Sequence, residues 1–90
     1  MGNRSRTEIV AMILDAANGG TTKTKIMYFV FLSYNQVKEY LSILIETNLI
    51  EYLVGANKFK TTEKGLNFIK MHNEIGELLK ATTVKNDQLN

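Results

Sequence analysis

The sequence predicts a mainly α fold with one small β-hairpin (α+β), and three observations carry that expectation. Apolar residues recur at helical spacing in four segments. Hydroxyl residues stand directly before those segments, where helix caps belong. One β-rich stretch, Leu49–Val54, is followed by a glycine-containing turn and a second short stretch, Lys58–Thr61. Ninety residues make one domain. A hydrophobic fraction of 44% is ordinary for a globular chain and separates it from the disordered class.

The elements follow in order. Ser5-Arg6-Thr7-Glu8 has capping-box form, in which a hydroxyl and a carboxylate satisfy each other's exposed amides. Ile9, Met12, Ile13, Ala16 and Ala17 follow at helical spacing, and Asn18-Gly19-Gly20 turns the chain out of the helix. Thr21-Thr22-Lys23 reads as a short strand or a lead-in. Thr24 caps a second helix over roughly Lys25–Phe31, with Ile26, Phe29 and Val30 inward. Ser33 caps a third, Tyr34–Thr47, with Val37, Tyr40, Leu41, Leu44 and Ile45 as its apolar stripe, and Asn48 is a left-handed exit. Only two or three residues separate helices 2 and 3, which is helix-turn-helix geometry. Leu49–Val54 and Lys58–Thr61 form a hairpin with a three-residue loop, Gly55-Ala56-Asn57. Thr62 caps a last helix from about Glu63 to Lys80, and 82–90 is expected to fray. The expected division is a body over 1–62, a dimerisation helix over 63–81 and a disordered tail over 82–90. Tyr28, Phe29, Phe31, Tyr34 and Tyr40 have the spacing of core aromatics, Tyr34 excepted.

Composition excludes several functions. Without cysteine there is no disulfide and no thiolate metal site, and the lone histidine, His72, has no second histidine to share a metal. No metal and no cofactor are expected. There is no paired nucleophile and base, no phosphate-cradling glycine loop and no evident small-molecule site, so the chain reads as a binding protein and not an enzyme. The apolar runs Ile26–Leu32 and Leu49–Val54 are far shorter than a membrane span of about 20 residues. The N-terminus lacks a signal-peptide core, and Met1-Gly2 satisfies only part of a myristoylation pattern, with Arg6 where Ser or Thr belongs. The expectation is a soluble, cytoplasmic protein.

The net charge is only +2, but its distribution is uneven. Residues 1–38 carry Arg4, Arg6, Lys23, Lys25 and Lys38 against Glu8 and Asp15, and Lys58, Lys60 and Lys64 cluster around the hairpin. Such clustering suits a polyanion, although solvated faces also collect lysines.

Leu32-Ser33-Tyr34, Tyr40-Leu41, Leu44, Asn48-Leu49-Ile50 and Phe59-Lys60-Thr61-Thr62-Glu63-Lys64-Gly65 together resemble the archaeal winged helix-turn-helix regulator family. The resemblance covers about Ser5 to Leu79. It is closest to the small archaeal chromatin-associated DNA-binding proteins that dimerise through an antiparallel coiled coil. It implies a winged helix-turn-helix with a long C-terminal dimerisation helix, double-stranded DNA as partner and association with the nucleoid. Asn48 stands where the family has Gly. Thr61 stands where an apolar residue is usual, which predicts looser packing under the wing.

In such a fold the third helix enters the major groove by its N-terminal, outward side. The candidate contacts there are Ser33, Tyr34, Asn35, Gln36, Lys38 and Ser42: Asn and Gln pair with adenine, Lys reaches guanine or phosphate, and a helix start donates to phosphate. Glu39 and Glu46 on the same helix oppose a tight grip on phosphate. Asn57, Lys58 and Lys60 of the wing, Lys23 and Lys25 beside helix 2, and Arg4 and Arg6 as an arm complete the set. In the last helix Leu66 and Ile69 are expected to pack on the body. Phe68, Met71, His72, Ile75, Leu78 and Leu79 are expected to form a homodimer seam, interrupted by Gly76. The rival readings are a protein-docking winged helix and an architectural chromatin protein; the polar Asn35-Gln36…Lys38 set favours DNA, and the modest charge favours a regulator.

Overall fold

The fold comes from a computed structural model that describes residues 4–89, with side chains over 4–80. The Met1-Gly2 reading therefore lies outside the described residues. The elements are α1 (Arg6–Ala16), α2 (Lys23–Val30), α3 (Tyr34–Glu46), β1 (Ile50–Leu53), β2 (Lys58–Thr61) and α4 (Glu63–Leu89).

The capping box at α1 forms as its sequence requires. The Ser5 hydroxyl accepts from the Glu8 amide at 3.0 Å, and the Glu8 carboxylate accepts from the Ser5 amide at 2.8 Å. Gly19 and Gly20 make the exit at φ +90° and +103°, a region open to glycine. Thr21 then pairs with Phe59 through two backbone hydrogen bonds of 2.8 and 2.7 Å, so the ambiguous Thr21-Thr22-Lys23 stretch is a single β-bridge followed by a cap.

Helix α2 begins earlier than its sequence suggests. Thr22, not Thr24, is the cap, its hydroxyl accepting from the Lys25 amide. Phe31, expected inside the helix, sits beyond it at φ 55° in the left-handed region. With Ile26 and Val30 one helical turn apart and buried, the inward face is fixed, and Phe29 falls outside it. Tyr28, Phe29 and Phe31 are all exposed, which corrects their assignment to an aromatic core; Tyr40 alone of the five packs half-buried against it.

Ser33 caps α3 through a second capping box with Gln36, and Asn48 leaves the helix at φ 64°. Val37, Leu41 and Leu44 are buried, whereas Ile45 is exposed and leaves the expected stripe. The hairpin pairs Leu53 with Lys58, so the loop is the four residues Val54-Gly55-Ala56-Asn57. Its left-handed residue is Asn57 at φ 58°, not Gly55, and the Ala56 and Asn57 amides both donate to the Leu53 carbonyl.

Ile13, Leu14, Ala17, Ile26, Val30, Val37, Leu41, Leu44 and Ile50 form one core between α1, α2, α3 and β1. Thr61 closes it from β2. Its side chain is buried, and its hydroxyl donates to the Leu14 carbonyl at 2.5 Å while its amide donates to Ala17. The expected loose packing is instead a hydrogen-bonded link between the wing and the last turn of α1, satisfying a carbonyl that a helix end leaves open.

Helix α4 starts inside the body. The Thr62 hydroxyl accepts from the Gly65 amide at 3.1 Å and donates to the Asn48 carbonyl at 2.7 Å. Gly65 lies against the Leu49 carbonyl and the Thr61 methyl, where no side chain fits. That approach turns Phe68 and Ile69 toward the core and leaves Leu66 exposed, which corrects the pairing of Leu66 with Ile69. The helical backbone continues past Lys80 to Leu89 in place of the frayed tail expected from 82, in a stretch with neither Gly nor Pro to stop it. Asn90 is outside the described residues. The molecule measures 56 × 28 × 19 Å, and its radius of gyration, 15.2 Å, exceeds the roughly 12 Å of a compact chain of this length. A projecting α4, roughly 40 Å long at 1.5 Å per residue, accounts for both.

Candidate nucleic-acid interface

The buried line Val37–Leu41–Leu44 decides which side of α3 faces solvent. At about 100° per residue the opposite side carries Asn35, Glu39, Ser42 and Glu46. Tyr34, Lys38 and Ile45 lie together on one flank, and Gln36 on the other. Ser33, Tyr34, Asn35, Gln36, Lys38 and Ser42 are all exposed.

At the start of α3 the Lys23 ammonium lies 4.8 Å from the centre of the Tyr34 ring and 3.4 Å from its hydroxyl. Lys23 is thus held at the same end of α3 whose first amides point outward. The dipole of that end and the ammonium both favour an anion. Gln36 is less available than its sequence position suggests, because its side-chain oxygen accepts from the Ser33 amide at 3.0 Å. Its NH2 group is not used in that bond.

The Tyr34–Ile45 flank faces a cleft bounded by Thr22, Lys23 and Thr24 of the α2 start and by Tyr52, Asn57 and Phe59 of the hairpin. Tyr52 and Phe59 pair across the strands with ring centres 4.9 Å apart, and the Tyr52 hydroxyl donates to the Asn57 side-chain oxygen, which braces the wing tip. Ile45 and Tyr52 were missed as lining residues. Counting Ile45 by helical angle with Tyr34 and Lys38, not with Leu44, would have found it.

Strand alternation puts Lys58 and Lys60 on the face of the hairpin away from Tyr52 and Phe59, and Lys60 stands directly opposite Glu51. Lys25 is exposed on α2 but lines a different cleft, with Ala16, Thr21, Tyr28 and Phe29. Arg4 and Arg6 do not form a free arm. The Arg4 guanidinium donates to the Val30 carbonyl at 2.7 Å, closing the end of α2. That of Arg6 lies 5.6 Å above the Tyr40 ring.

On α4, Phe68 and His72 belong partly to the body. Phe68 packs on the core, the two rings stack with centres 6.4 Å apart, and His72 lines a groove with Arg4 and with Glu8, Met12 and Asp15 of α1. Met71, Ile75, Leu78 and Leu79 are exposed within a strip roughly 100° wide. No helix among the described residues is long and apolar enough to cross a membrane, and none of them gather into a group of three or more metal-ligating side chains.

A family model described as winged helix-turn-helix matches residues 3–80. Among solved structures, the chain is similar to Sso10a-2, a DNA-binding protein from Sulfolobus solfataricus, with a TM-score of 0.75 and 23% identity over 96% of each chain. No curated protein matches the chain by sequence.

Proposed function

The chain belongs to the winged helix-turn-helix family, and on that footing we propose that it binds double-stranded DNA as a homodimer and acts as a transcription regulator. In this reading the first turns of α3 enter the major groove, with Asn35, Lys38 and Ser42 toward base edges. Ser33, Tyr34 and Lys23 hold the flanking phosphates, and the hairpin tip at Asn57 follows the backbone or minor groove. Lys25, Lys58 and Lys60 add positive charge at the periphery and not at the groove.

The observation that carries the reading is the Lys23–Tyr34 pair at the open N-terminal end of α3. It joins a fixed cation, a hydroxyl and outward amides beside a cleft floored by the wing. Glu39 and Glu46 on the outer side of α3 favour an approach from the Lys38 flank, because a phosphate near either carboxylate is repelled. The similarity to a DNA-binding protein supports the same reading.

Dimerisation rests on the exposed strip of α4. Met71, Ile75 and Leu78 follow one another at spacings of four and three, the repeat that a partner helix covers in a coiled coil. Two copies fix two α3 helices at a set separation and raise a modest affinity through avidity.

The test is fluorescence anisotropy of a labelled random-sequence duplex at about 50 and 200 mM salt, where several phosphate contacts cost orders of magnitude in affinity. Binding that falls steeply with salt is expected. Absence of binding at the lower salt would favour a protein-docking winged helix.

A further inference from the structure

The tip of the wing has a composition that phosphate contact does not explain. Its loop, Val54-Gly55-Ala56-Asn57, carries no charge, and Val54 is 82% exposed. A side chain added at Gly55 would meet nothing within 4 Å, so the tip stands clear of the body, and Gly55 and Ala56 keep it narrow. A row of phosphates rewards cations and leaves an apolar side chain in water. The minor groove of DNA, about 6 Å wide, instead offers sugar walls to a slim, uncharged loop.

The side chain at the tip that can read a base edge is Asn57, and it is held in one orientation. Its backbone is set at φ 58°, with its backbone amide donating to the Leu53 carbonyl at 2.8 Å. Its side-chain oxygen accepts from the Tyr52 hydroxyl, and the Tyr52 ring is in turn set against Phe59 with centres 4.9 Å apart. With the oxygen turned to Tyr52, the exposed side chain presents its NH2 group, two donors, to a partner.

We propose that the wing enters the minor groove and that Asn57 makes the protein prefer A·T over G·C pairs there, an inference that rests on the DNA-binding reading and assigns its base preference. The minor-groove edge of an A·T pair shows only acceptors, adenine N3 and thymine O2, in either orientation. A G·C pair adds the guanine N2 amino group, itself a donor. Donor meets acceptor at A·T. At G·C donor meets donor, so the hydrogen bond is lost and the Asn57 NH2 is stripped of water without a partner. Because A·T and T·A look alike from this side, the wing reads base composition and not an ordered sequence. Tyr52 is a positioning residue: without its hydroxyl the Asn57 amide can turn and accept from the guanine amino group, and the preference relaxes.

The test uses the full chain and three duplexes of equal length and the same alternating pattern, built from A·T, G·C or inosine·cytosine pairs. Affinity is read by fluorescence anisotropy at about 50 mM salt. Inosine is guanosine without the N2 amino group, so the inosine duplex shows the major-groove edge of G·C and the minor-groove edge of A·T. Wild type is expected to bind it about tenfold more tightly than G·C. Asn57→Gly suits the backbone at this position and Tyr52→Phe keeps the ring pair, so both keep the fold, which circular dichroism checks. Both are expected to bring the ratio below about threefold. Equal affinity of wild type for the inosine and G·C duplexes overturns the proposal, leaves DNA binding intact and puts the wing on the phosphates. Variants that keep the wild-type ratio also overturn it, because groove shape then makes the distinction. Failure of wild type to bind any of the three would overturn the DNA-binding reading itself, and this inference with it.

Discussion

Replacing Gly65 with Ala puts a methyl group where the Leu49 carbonyl oxygen already stands. The added carbon would also lie 2.6 Å from the Thr61 Cγ2 atom and 3.3 Å from the Leu49 carbonyl carbon. Two of these three atoms are backbone, and Thr61 is held by its bond to Leu14, so α4 must move away from the hairpin. Overpacking of this kind costs about 1–3 kcal/mol. The same movement stretches the Thr62 amide's bond to the Leu49 carbonyl, now 3.1 Å, which adds about 1 kcal/mol. A total near 3 kcal/mol lowers the melting temperature of a domain this size by about 15 °C. Gly76 is the internal control. It lies in the same helix with nothing within 4 Å of the added carbon, so Ala should stabilise the helix by about 1 kcal/mol and raise the melting temperature by about 5 °C. Circular dichroism melts at one fixed protein concentration measure both, because self-association contributes to stability. If Gly65→Ala melts within about 3 °C of wild type, or the two substitutions shift it alike, the close approach of α4 to the hairpin is wrong.

Two further substitutions probe the wing and the seam. Thr61→Val keeps the volume but leaves the buried Leu14 carbonyl without its donor, and should cost about 1–3 kcal/mol in urea unfolding; a variant as stable as wild type would show that the bond contributes nothing. Leu78→Glu sets a charge in the α4 strip and is expected to sediment as monomer at about 10 μM, with duplex affinity at least tenfold weaker. Equal sedimentation of variant and wild type as monomers would remove the coiled-coil dimer.

What the sequence disclosed was what local chemistry fixes. The two capping boxes, the glycine exit of α1 and the left-handed Asn48 follow from side chains acting on their own backbone, so they were legible at Ser5, Ser33, Gly19-Gly20 and Asn48. Tertiary choices were not. Thr22 and Thr24 are both competent caps, and the Thr21–Phe59 bridge, formed by a residue far along the chain, stands just before the former. Leu14 escaped notice because α1 is packed by α2 on one side and by α4 and β2 on another, which widens its inward face beyond one stripe. Phe68 was placed in the seam because spacing alone cannot say at what rotation a helix leaves a body; Gly65 sets that rotation. At the candidate interface, the exposed α3 residues were legible from helical periodicity. The docking of Arg4 on Val30 and of Lys23 on Tyr34 required contacts between separate elements.

The most direct test of the central claim compares wild type with a Lys23→Ala, Lys38→Ala variant on one duplex, reading affinity across a series of salt concentrations. The Lys23 phosphate contact predicts a plot of log K against log salt shallower by about 1, and loss of the Lys38 contact to a base edge weakens binding further. A variant whose affinity and slope match wild type would place the DNA elsewhere than at the N-terminal end of α3.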